Sequence, residues 1–370
     1  MRVLVAPGAF AGALSASAAG EAIASGWSRT APGDVLDIVP MSGAGRGFVD
    51  ALHASVGGER TEVDVRGPLG GPVRGLMLLA DDGRRTAFVE SASACGPHVA
   101  VRRAPLEATS AGVGDLIAAA LEAGAQRIVV GLGDSATTDG GAGMLSALGA
   151  RADVPLAAGP GGLAGVSAVD LGPVRERIGP TELVVATDVG SPMLGLFGAV
   201  RSDGPGKGLD DAAVARVDTI LDAFVVAVCG PGPAQRRVAD AAGAGAAGGL
   251  GFALQVLGAT SVPGVAAVAD LVGLQAAARA TDVVLTGVDA YDVTSREGTV
   301  VYGVAAVAGA ALRPCVVLAD RVEVGARERR AMGVEAAYAT ADLLGEQAGD
   351  DAGERLARLA ERIARTWSQV

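Results

Sequence analysis

The sequence predicts an α/β protein built around a doubly wound parallel sheet, into which a second α/β domain is inserted. Short apolar strands alternate with helices at both ends of the chain, and glycine-rich loops follow the strands. The middle of the chain departs from this alternation, because turn-rich and hairpin-like segments appear there. We therefore expect a discontinuous sheet domain at residues 1–60 and 265–370, with residues 61–264 as the inserted domain.

The N-terminal part predicts the first two strands of this sheet. Arg2–Ala6 and Val35–Pro40 are short apolar runs that are each followed by a loop. Between them, Ser15 is a suitable N-cap for a helix whose apolar residues recur at helical spacing. A glycine-rich loop, residues 42–47, then leads into a second helix.

The C-terminal part predicts three more strands and a closing helix. The strands are expected at Asp282–Thr286, Pro314–Ala319 and Glu335–Ala339. The helix carries an apolar stripe made of Leu356, Leu359, Ile363 and Trp367. Two strands plus these three make five, which favours a flavodoxin-like sheet with ligands at the C-terminal ends of its strands.

The inserted domain is predicted to open with a hairpin and to be buried later. Val73–Ala80 and Thr86–Glu90 flank a turn at residues 81–83. Further on, the uncharged run from Ala241 to Ala269 is long enough to raise the question of a membrane span. Seven glycines and Pro263 interrupt it, so we interpret it as a buried segment of a soluble protein.

Composition excludes several classes of partner. The net charge of −11 argues against nucleic acids and membrane surfaces, since both attract clustered positive charge. The three cysteines are far apart without ligand-like spacing, which fits a reduced, cytoplasmic protein. Of the 30 basic residues only Lys207 is a lysine, so this position either needs a compact ammonium or has kept it by chance. The oligomeric state stays open, a homodimer included.

The stretch Ile128–Leu145 is the strongest local signal. An apolar strand end is followed by five glycines and then by a helix that starts near Met144. Such a turn points backbone N–H groups at one spot, which suits an anion. No Gly-Lys-Ser/Thr follows, so it is not a phosphate-loop signature, and a tight turn without a ligand is the alternative.

Several motifs, taken in order along the chain, resemble the bacterial glycerate kinase family of the first type. Residues 130–145 are similar to its VGLGGSATNDGGAGML, residues 66–73 to its TGPLGRPV and residues 186–192 to its ACDVDNP, and residues 243–251 are similar to a family glycine stretch. The resemblance runs from Met1 to about residue 340. It implies a flavodoxin-like domain with an inserted α/β domain, and ATP-dependent phosphorylation of D-glycerate assisted by Mg²⁺.

The chain also departs from the family at positions that carry charge there. These positions are Gly8, Ala11, Gly43, Arg46, Val288, Ala290 and Thr299. All of them are predicted on strand-end loops of the sheet domain. Three cations are lost at positions 11, 290 and 299, and phosphoryl transfer depends on positive charge around the migrating group. Arg46 returns a cation, but at a position that resembles a family glutamate.

The resemblance and the residue types together name the candidate site. Catalytic roles are assigned to Asp188, Asp292 and Lys207, with Asp188 as the metal ligand. Substrate or nucleotide contacts are assigned to Ser135, Thr137, Asp139, Glu90, Arg46, Gly248 and Gly249. A structural alternative stands beside some of them, since Asp139 could cap its helix, Asp188 could hold a turn and Glu90 could pair with an arginine. The ligand is expected to be a small molecule in a cleft between the domains.

Three functional hypotheses follow. The first is a glycerate kinase homologue with a degenerate site, whose activity on glycerate is weak, lost or redirected to another small molecule. The second is a working glycerate kinase with a rearranged site. The third is a protein that binds a small molecule or a partner without catalysis.

Overall fold

Strands and helices alternate over most of the chain in a computed structural model that describes residues 1–10, 13–295, 298–344 and 351–368. In chain order, the strands are β1 Arg2–Val5, β2 Val35–Ile38, β3 Glu59–Arg66, β4 Pro72–Ala80, β5 Thr86–Glu90, β6 Arg127–Gly131, β7 Arg151–Ala152, β8 Val169–Asp170, β9 Glu182–Ala186, β10 Thr260–Val262, β11 Val283–Tyr291, β12 Cys315–Val322 and β13 Ala336–Ala339.

The helices, numbered in the same way, are α1 Ala16–Thr30, α2 Phe48–Val56, α3 Ser91–Cys95, α4 Ala111–Glu122, α5 Ala142–Leu148, α6 Gly159–Gly162, α7 Gly172–Ile178, α8 Ala199–Lys207, α9 Asp211–Cys229, α10 Pro233–Arg236, α11 Ala246–Val256, α12 Gly264–Leu271, α13 Leu274–Arg279, α14 Val300–Ala310, α15 Ala326–Ala331, α16 Thr340–Leu344 and α17 Ala352–Trp367. Short 3₁₀ turns occur at Pro97–Val99 and Arg237–Asp240.

The chain divides into two units. Unit 1 comprises Met1–Gly43, Asp50–Gly57 and Gly264–Val370, and unit 2 comprises Ala44–Val49 and Gly58–Pro263. Unit 1 contains a five-stranded sheet of order β2-β1-β11-β12-β13 in which all strands are parallel. This is the flavodoxin strand order, so the predicted fold class is confirmed for this unit.

The first helix of unit 1 forms for the reasons that the sequence indicates. Ser15 Oγ accepts a hydrogen bond from Ala18 N at 3.2 Å and caps α1, and Trp27 on the inner face is fully buried. The closing helix α17 packs directly on α1. A Cβ atom on Gly26 would lie 1.8 Å from Ala357 O, so only glycine permits this close approach.

Two strands of unit 1 are longer than predicted. β11 continues past Thr286 to Tyr291, and its last residues pair in register with β12. Val288 and Ala290 therefore lie within a strand, and their predicted location on a loop is wrong. The sequence suggested an end at Thr286 because Gly287 interrupts the apolar run, but Gly287 continues the ladder opposite Leu318.

Unit 2 contains a mixed six-stranded sheet of order β10-β9-β6-β5-β4-β3. β3, β4 and β5 are antiparallel, as the hairpin prediction requires for β4 and β5, while β6, β9 and β10 continue in parallel. The sequence interpretation missed β3, because this edge strand is largely exposed and its charged residues hide the alternation of Val63 and Val65.

The uncharged run from Ala241 to Ala269 is mostly interior. Its central helix α11 is buried over Ala246–Leu254. Among the described residues, no helix combines the length and the apolar character that a membrane crossing would require.

Candidate functional site

The glycine-rich loop after β6 is organised by the carboxylate of Asp139. This side chain is fully buried. Its Oδ2 accepts from Ser110 N, Ser110 Oγ and Gly143 N at 2.8, 2.9 and 3.1 Å, and its Oδ1 accepts from Gly141 N at 3.0 Å. Burial raises the pKa of Asp139, and these hydrogen bonds oppose that rise. The carboxylate thus holds the starts of α4 and α5 together.

The N–H groups around the start of α5 are consequently not available to an external anion. Ala142 N donates to Asp139 O, Gly140 N to Gly248 O, and Met144 N to Ser110 Oγ. With Gly141 and Gly143 bound to Asp139, the protein supplies its own acceptors throughout the start of α5. The predicted anion cradle is therefore wrong in this respect, since an internal carboxylate occupies it.

Thr137, Gly248 and Gly249 lie beside the same loop and shape it. Thr137 is fully buried, and its Oγ1 donates to Ala108 O at 2.8 Å. Gly248 and Gly249 have φ values of +70° and +96° within α11. A Cβ atom on Gly248 would lie 2.0 Å from Thr137 O, so the glycine is needed for the packing of two backbone segments.

Lys207 reaches this loop from the end of α8. Its Nζ donates to Thr137 O at 2.7 Å. Burial lowers the pKa of Lys207, and the negative charge of Asp203 opposes this most strongly. Ser135 Oγ lies in the same place and contacts Thr137 O and Ala247 O at 3.1 and 3.2 Å. The structure thus brings Lys207, Ser135 and Thr137 together, while their roles in catalysis and binding stay predictions.

A buried thiol lies behind this group. Cys95 is fully buried, and burial, followed by the negative charge of Asp139, raises the pKa of Cys95 to about 12. A thiol with such a pKa is not a nucleophile at neutral pH. Cys95 is therefore part of the support of the loop.

In front of the loop, unit 2 has a cavity of about 520 Å³. Three cationic side chains line it, Arg102, Arg103 and Lys207, together with Asp134 and Ser135. Its volume lies within the range of roughly 300–1,000 Å³ that is typical of small-molecule sites. We call it the Lys207 cavity.

Glu90 and Arg46 lie on either side of the segment that starts α2. Glu90 is buried, and its Oε2 accepts from Gly47 N and Val49 N at 3.1 and 3.2 Å. Glu90 therefore supports the start of this helix, which sequence reasoning did not foresee. Arg46 is exposed, and its backbone N donates to Asp134 Oδ2 at 3.4 Å.

His98 is close to these groups. Burial and the charge of Arg46 lower the pKa of His98, whereas the charge of Asp134 raises it. The lowered pKa favours the neutral imidazole of His98 at neutral pH.

Asp188 is half-buried and follows β9 directly after Thr187. Within the described ranges, no three His, Cys, Asp or Glu side chains are close enough to form a metal cage. Mg²⁺, however, often takes one or two carboxylates and completes its shell with water and phosphate oxygens. The role of Asp188 as a metal ligand stays a prediction.

Asp292, the third predicted catalytic residue, belongs to unit 1. Its Oδ1 accepts from Thr294 N and Thr294 Oγ1 at 2.8 and 2.6 Å, which closes the turn after β11. These hydrogen bonds lower the pKa of Asp292, so the side chain is ionised at neutral pH. The structure places it in a different unit from Asp188 and Lys207.

The positions that depart from the family and belong to the described residues of unit 1 are occupied by neutral residues. Gly8 follows β1, Gly43 follows β2, and Val288 and Ala290 end β11. Thr299 caps α14, because its Oγ1 accepts from Tyr302 N at 3.4 Å. Ala11, which also belongs to this set, lies outside the described residues.

One cation stands next to these neutral positions. Ala290 pairs in register with Arg321 of β12, so the two side chains share a face of the sheet. The positive charge of Arg321 also contributes to the lowered pKa of Asp292. Glu323 lies 3.5 Å from Arg321 and partly offsets its charge.

The sequence did not reveal several residues of the Lys207 cavity or the arginine beside the end of β11. Arg102, Arg103 and Asp134 of the Lys207 cavity were not assigned, and neither was Arg321. Asp134 could have been found, since it replaces a glycine in the quoted motif and adopts a φ of +38°. The arginines belong to no motif. They are identified only from the register of β11 on β12 and from the lining of the cavity.

The fold and these loops define a two-part α/β protein with a flavodoxin-type sheet in one part. The family model described as the glycerate kinase family matches residues 3–368. The chain is 35% identical to a glycerate kinase of Bacillus subtilis (strain 168), over 99% of this chain and 96% of that protein. It is 34% identical to a glycerate 2-kinase of Escherichia coli (strain K12), over 99% and 98% of the two chains.

A solved structure agrees with the sequence matches. The crystal structure of a glycerate kinase 2 from Salmonella typhimurium LT2 superposes with a TM-score of 0.80 at 32% identity, covering 99% of this chain and 98% of that one. The chain belongs to the glycerate kinase family.

Proposed function

We propose that the chain is an ATP-dependent phosphotransferase of this family that phosphorylates glycerate weakly or not at all and acts on another small hydroxy compound. The observation that carries this proposal is the neutral character of the strand ends in unit 1. Gly8, Val288 and Ala290 offer no side-chain donor or charge there. Removing one donor to a transition state typically costs about 10²–10³ in rate, so several losses leave little turnover of the original substrate.

A nearby acid does not repair the loss at position 288. Asp289 follows Val288 directly and is half-buried. Successive side chains of a strand point to opposite faces of the sheet, so Asp289 cannot occupy the position of a carboxylate at 288. A less polar edge is better suited to a bulkier or less charged acceptor than glycerate.

Unit 2 has side chains that are suited to bind the nucleotide of the proposed reaction. In unit 2, Lys207 and Ser135 line a cavity of suitable size with two further arginines. Asp188 supplies a carboxylate for Mg²⁺ that comes with ATP. A bound metal ion would neutralise charge on the transferred phosphoryl group, while these side chains orient the nucleotide. The buried thiols of Cys95 and Cys315 are consistent with a reducing, cytoplasmic location.

A working glycerate kinase with a rearranged site is the second candidate, because of Arg321. Its side chain lies on the same face as Ala290 and close to Asp292. A guanidinium from the neighbouring strand could thus replace the cation that position 290 has lost. Arg46 does not serve this purpose, since it belongs to unit 2.

The decisive experiment compares this protein with the Bacillus subtilis glycerate kinase under the same conditions. Each protein is given ATP, Mg²⁺ and D-glycerate, and ADP formation is followed. We expect this protein to be slower by about 100-fold or more, on the basis of the lost donors. A panel of small hydroxy acids and polyols should then contain at least one acceptor that is used faster than glycerate.

Variants separate the two candidates. A glycerate rate equal to that of the Bacillus protein, abolished by Arg321→Gln, would establish the second candidate and reject the first. Arg313→Gln, which changes another arginine of unit 1, serves as the charge control. If no acceptor in the panel supports ADP formation but the nucleotide still binds, a non-catalytic binding role is favoured over both kinase candidates.

A further inference from the structure

Two of the three cationic side chains that line the Lys207 cavity, those of Lys207 and Arg103, have no ion pair within the described part of unit 2. Its charged lining residues are Arg102, Arg103, Lys207 and Asp134. Only one of the four is acidic, so the cavity has an excess of positive charge. An enclosed cation excess attracts anions, because field lines concentrate in a concave, low-dielectric wall.

Lys207 has donor capacity to spare. Its ammonium carries three N–H donors, and within the described part of the chain Thr137 O is the acceptor recorded for it. Within the described residues its Nζ forms no ion pair, and the negative charge of Asp203 only partly opposes the effect of burial on the pKa of Lys207. The nearby carboxylate of Asp139 is already fully used by backbone and hydroxyl donors. An added acceptor in the cavity would therefore complete the shell of a partly buried charge.

The two arginines of the cavity, Arg102 and Arg103, differ in their ion pairs. Arg102 is paired with Glu107, at 2.6 Å from Nη2 to Oε2. For Arg103, the described residues provide no such partner. A guanidinium without a carboxylate presents its planar fork to a phosphate, which it can bind through two parallel hydrogen bonds.

The remainder of the cavity suits the other part of a nucleotide. Pro68, Leu69 and Pro97 give it apolar walls. A second cavity, of about 650 Å³, shares Arg102, Arg103 and Ala104 with it and adds Arg216. The shared segment therefore lies between two open spaces, which leaves room for a ligand longer than one phosphate.

We infer that the Lys207 cavity binds the nucleotide, with Lys207 and Arg103 holding its phosphate groups. This inference rests on the proposed function, since it locates the nucleotide of that reaction. It assigns a role to Arg103, which no motif marks, and it gives a reason for an ammonium at the only lysine position. Asp134 sets a limit, because its carboxylate disfavours phosphate on its own side of the cavity.

The single lysine makes a direct test available. An amine acetylating reagent can modify only Lys207 and the amino terminus at Met1, which lies in unit 1 and serves as the internal reference. Mass spectrometry gives the acetylation rate at both amines, with ADP or with adenosine present. At ADP ten times above its Kd, we expect acetylation of Lys207 to slow by about 10-fold, since roughly that fraction of the protein is covered. Adenosine, which has no phosphate, should leave the rate nearly unchanged.

Variants then test Arg103. Arg103→Gln should weaken ADP binding by about 10- to 100-fold in calorimetry, the loss typical of a charged hydrogen-bonding group. Arg74→Gln, an exposed arginine of unit 2 outside the cavity lining, should bind ADP as the unchanged protein does. Because Arg103 is exposed, this variant should fold even if a variant at Lys207 does not.

The outcomes are separable from those of the activity assay. Acetylation of Lys207 that ADP does not slow, equal ADP affinity in the Arg103→Gln variant, or no ADP binding at all would each overturn the inference. If ADP protects Lys207 and Arg103→Gln weakens binding, the inference holds even when no acceptor is phosphorylated. Turnover of an acceptor together with an unprotected Lys207 would leave the proposed function intact and reject this location for the nucleotide.

Discussion

The strand ends of the two units use polar residues in opposite ways. In unit 2, the carboxylates of Asp139 and Glu90 are buried and accept backbone N–H groups that would otherwise lack partners. In unit 1, Gly8 follows β1, and Val288 and Ala290 lie near the end of β11, so these three positions have no polar side chain. The fold of unit 2 needs its acids, whereas that of unit 1 is formed with neutral residues at these positions.

This difference affects how a polar or charged residue that the chain shares with the family should be interpreted. An acid that holds helix starts together is required for folding even in a protein without catalytic activity. The presence of Asp139, Thr137 and Glu90 is therefore weak evidence for chemistry. The evidence for function in unit 2 rests instead on groups that the fold does not use fully, above all Lys207 and Arg103.

The replacement of Asp139 should have the largest effect on stability and is the most direct test of this comparison. Asp139→Ala leaves the N–H groups of Ser110, Gly141 and Gly143 without their acceptor inside the protein. Since each unsatisfied buried group costs about 1–3 kcal/mol, we expect unit 2 to lose about 4 kcal/mol or more of its unfolding free energy. Urea denaturation followed by circular dichroism measures this loss.

A surface acid of the same unit is the matched control. Asp153 accepts from Ser167 N, Ser167 Oγ and Ala168 N but is solvent-exposed. Water can replace it as acceptor, so Asp153→Ala should be much less destabilising. A nucleotide-binding defect in Asp139→Ala without any loss of stability would mean that Asp139 serves a ligand and not the fold.

Much of the architecture could be predicted because it depends on local patterns. The capped helix α1, the hairpin of β4 and β5 and the five-stranded sheet follow from N-cap chemistry, turn residues and apolar periodicity. Edge strand β3 could not be predicted in this way, since only Val63 and Val65 of its inner face are apolar and the charged residues around them leave little apolar signal.

The site was less predictable, for a physical reason. A motif gives residue types and spacing, but it does not tell whether a carboxylate faces a ligand or its own backbone. Asp139 and a ligand would satisfy the same N–H groups, so the sequence of the glycine-rich loop fits both. Likewise, Arg321 acquires its relation to Ala290 only through the register of β11 on β12.

Thr299 offers a milder test on the side of unit 1. It is a position where the family carries a lysine, yet here its hydroxyl caps α14. Thr299→Lys removes this cap and should lower the unfolding free energy by about 1 kcal/mol, as for other N-cap losses. Thermal denaturation checks this value.

The control for this change is Thr299→Ser, which keeps a hydroxyl and should be nearly neutral. Thr299→Lys also restores one cation to the edge of unit 1, so its glycerate turnover is informative. No change in stability would show that the cap contributes little and that the neutral residue at this position needs another explanation.

An effect of similar size is expected from the partly buried acid Asp115 of unit 2, which is intermediate in exposure between the buried Asp139 and a surface acid. It binds Arg66 through Nε and Nη2 at 2.9 and 2.6 Å and also accepts from Arg66 N at 3.1 Å. Burial acts to raise the pKa of Asp115, but these hydrogen bonds outweigh it and lower the pKa below its usual value. Asp115→Asn should cost about 1 kcal/mol at neutral pH, discounted for solvent screening.

The pH dependence of this cost has a definite sign. Since the folded-state pKa of Asp115 is the lower one, its stabilising contribution is present above the unfolded value and is lost as the pH falls through the folded value. The difference in unfolding free energy between the two proteins should thus be constant from about pH 5 to 8 and shrink below about pH 4. Asp64→Asn, which breaks a more exposed pair with Arg74, is the control and should cost less at neutral pH. A difference that grows towards acid pH would mean that burial, and not Arg66, dominates this carboxylate, and Asp115 would then resemble Asp139 more than a surface acid.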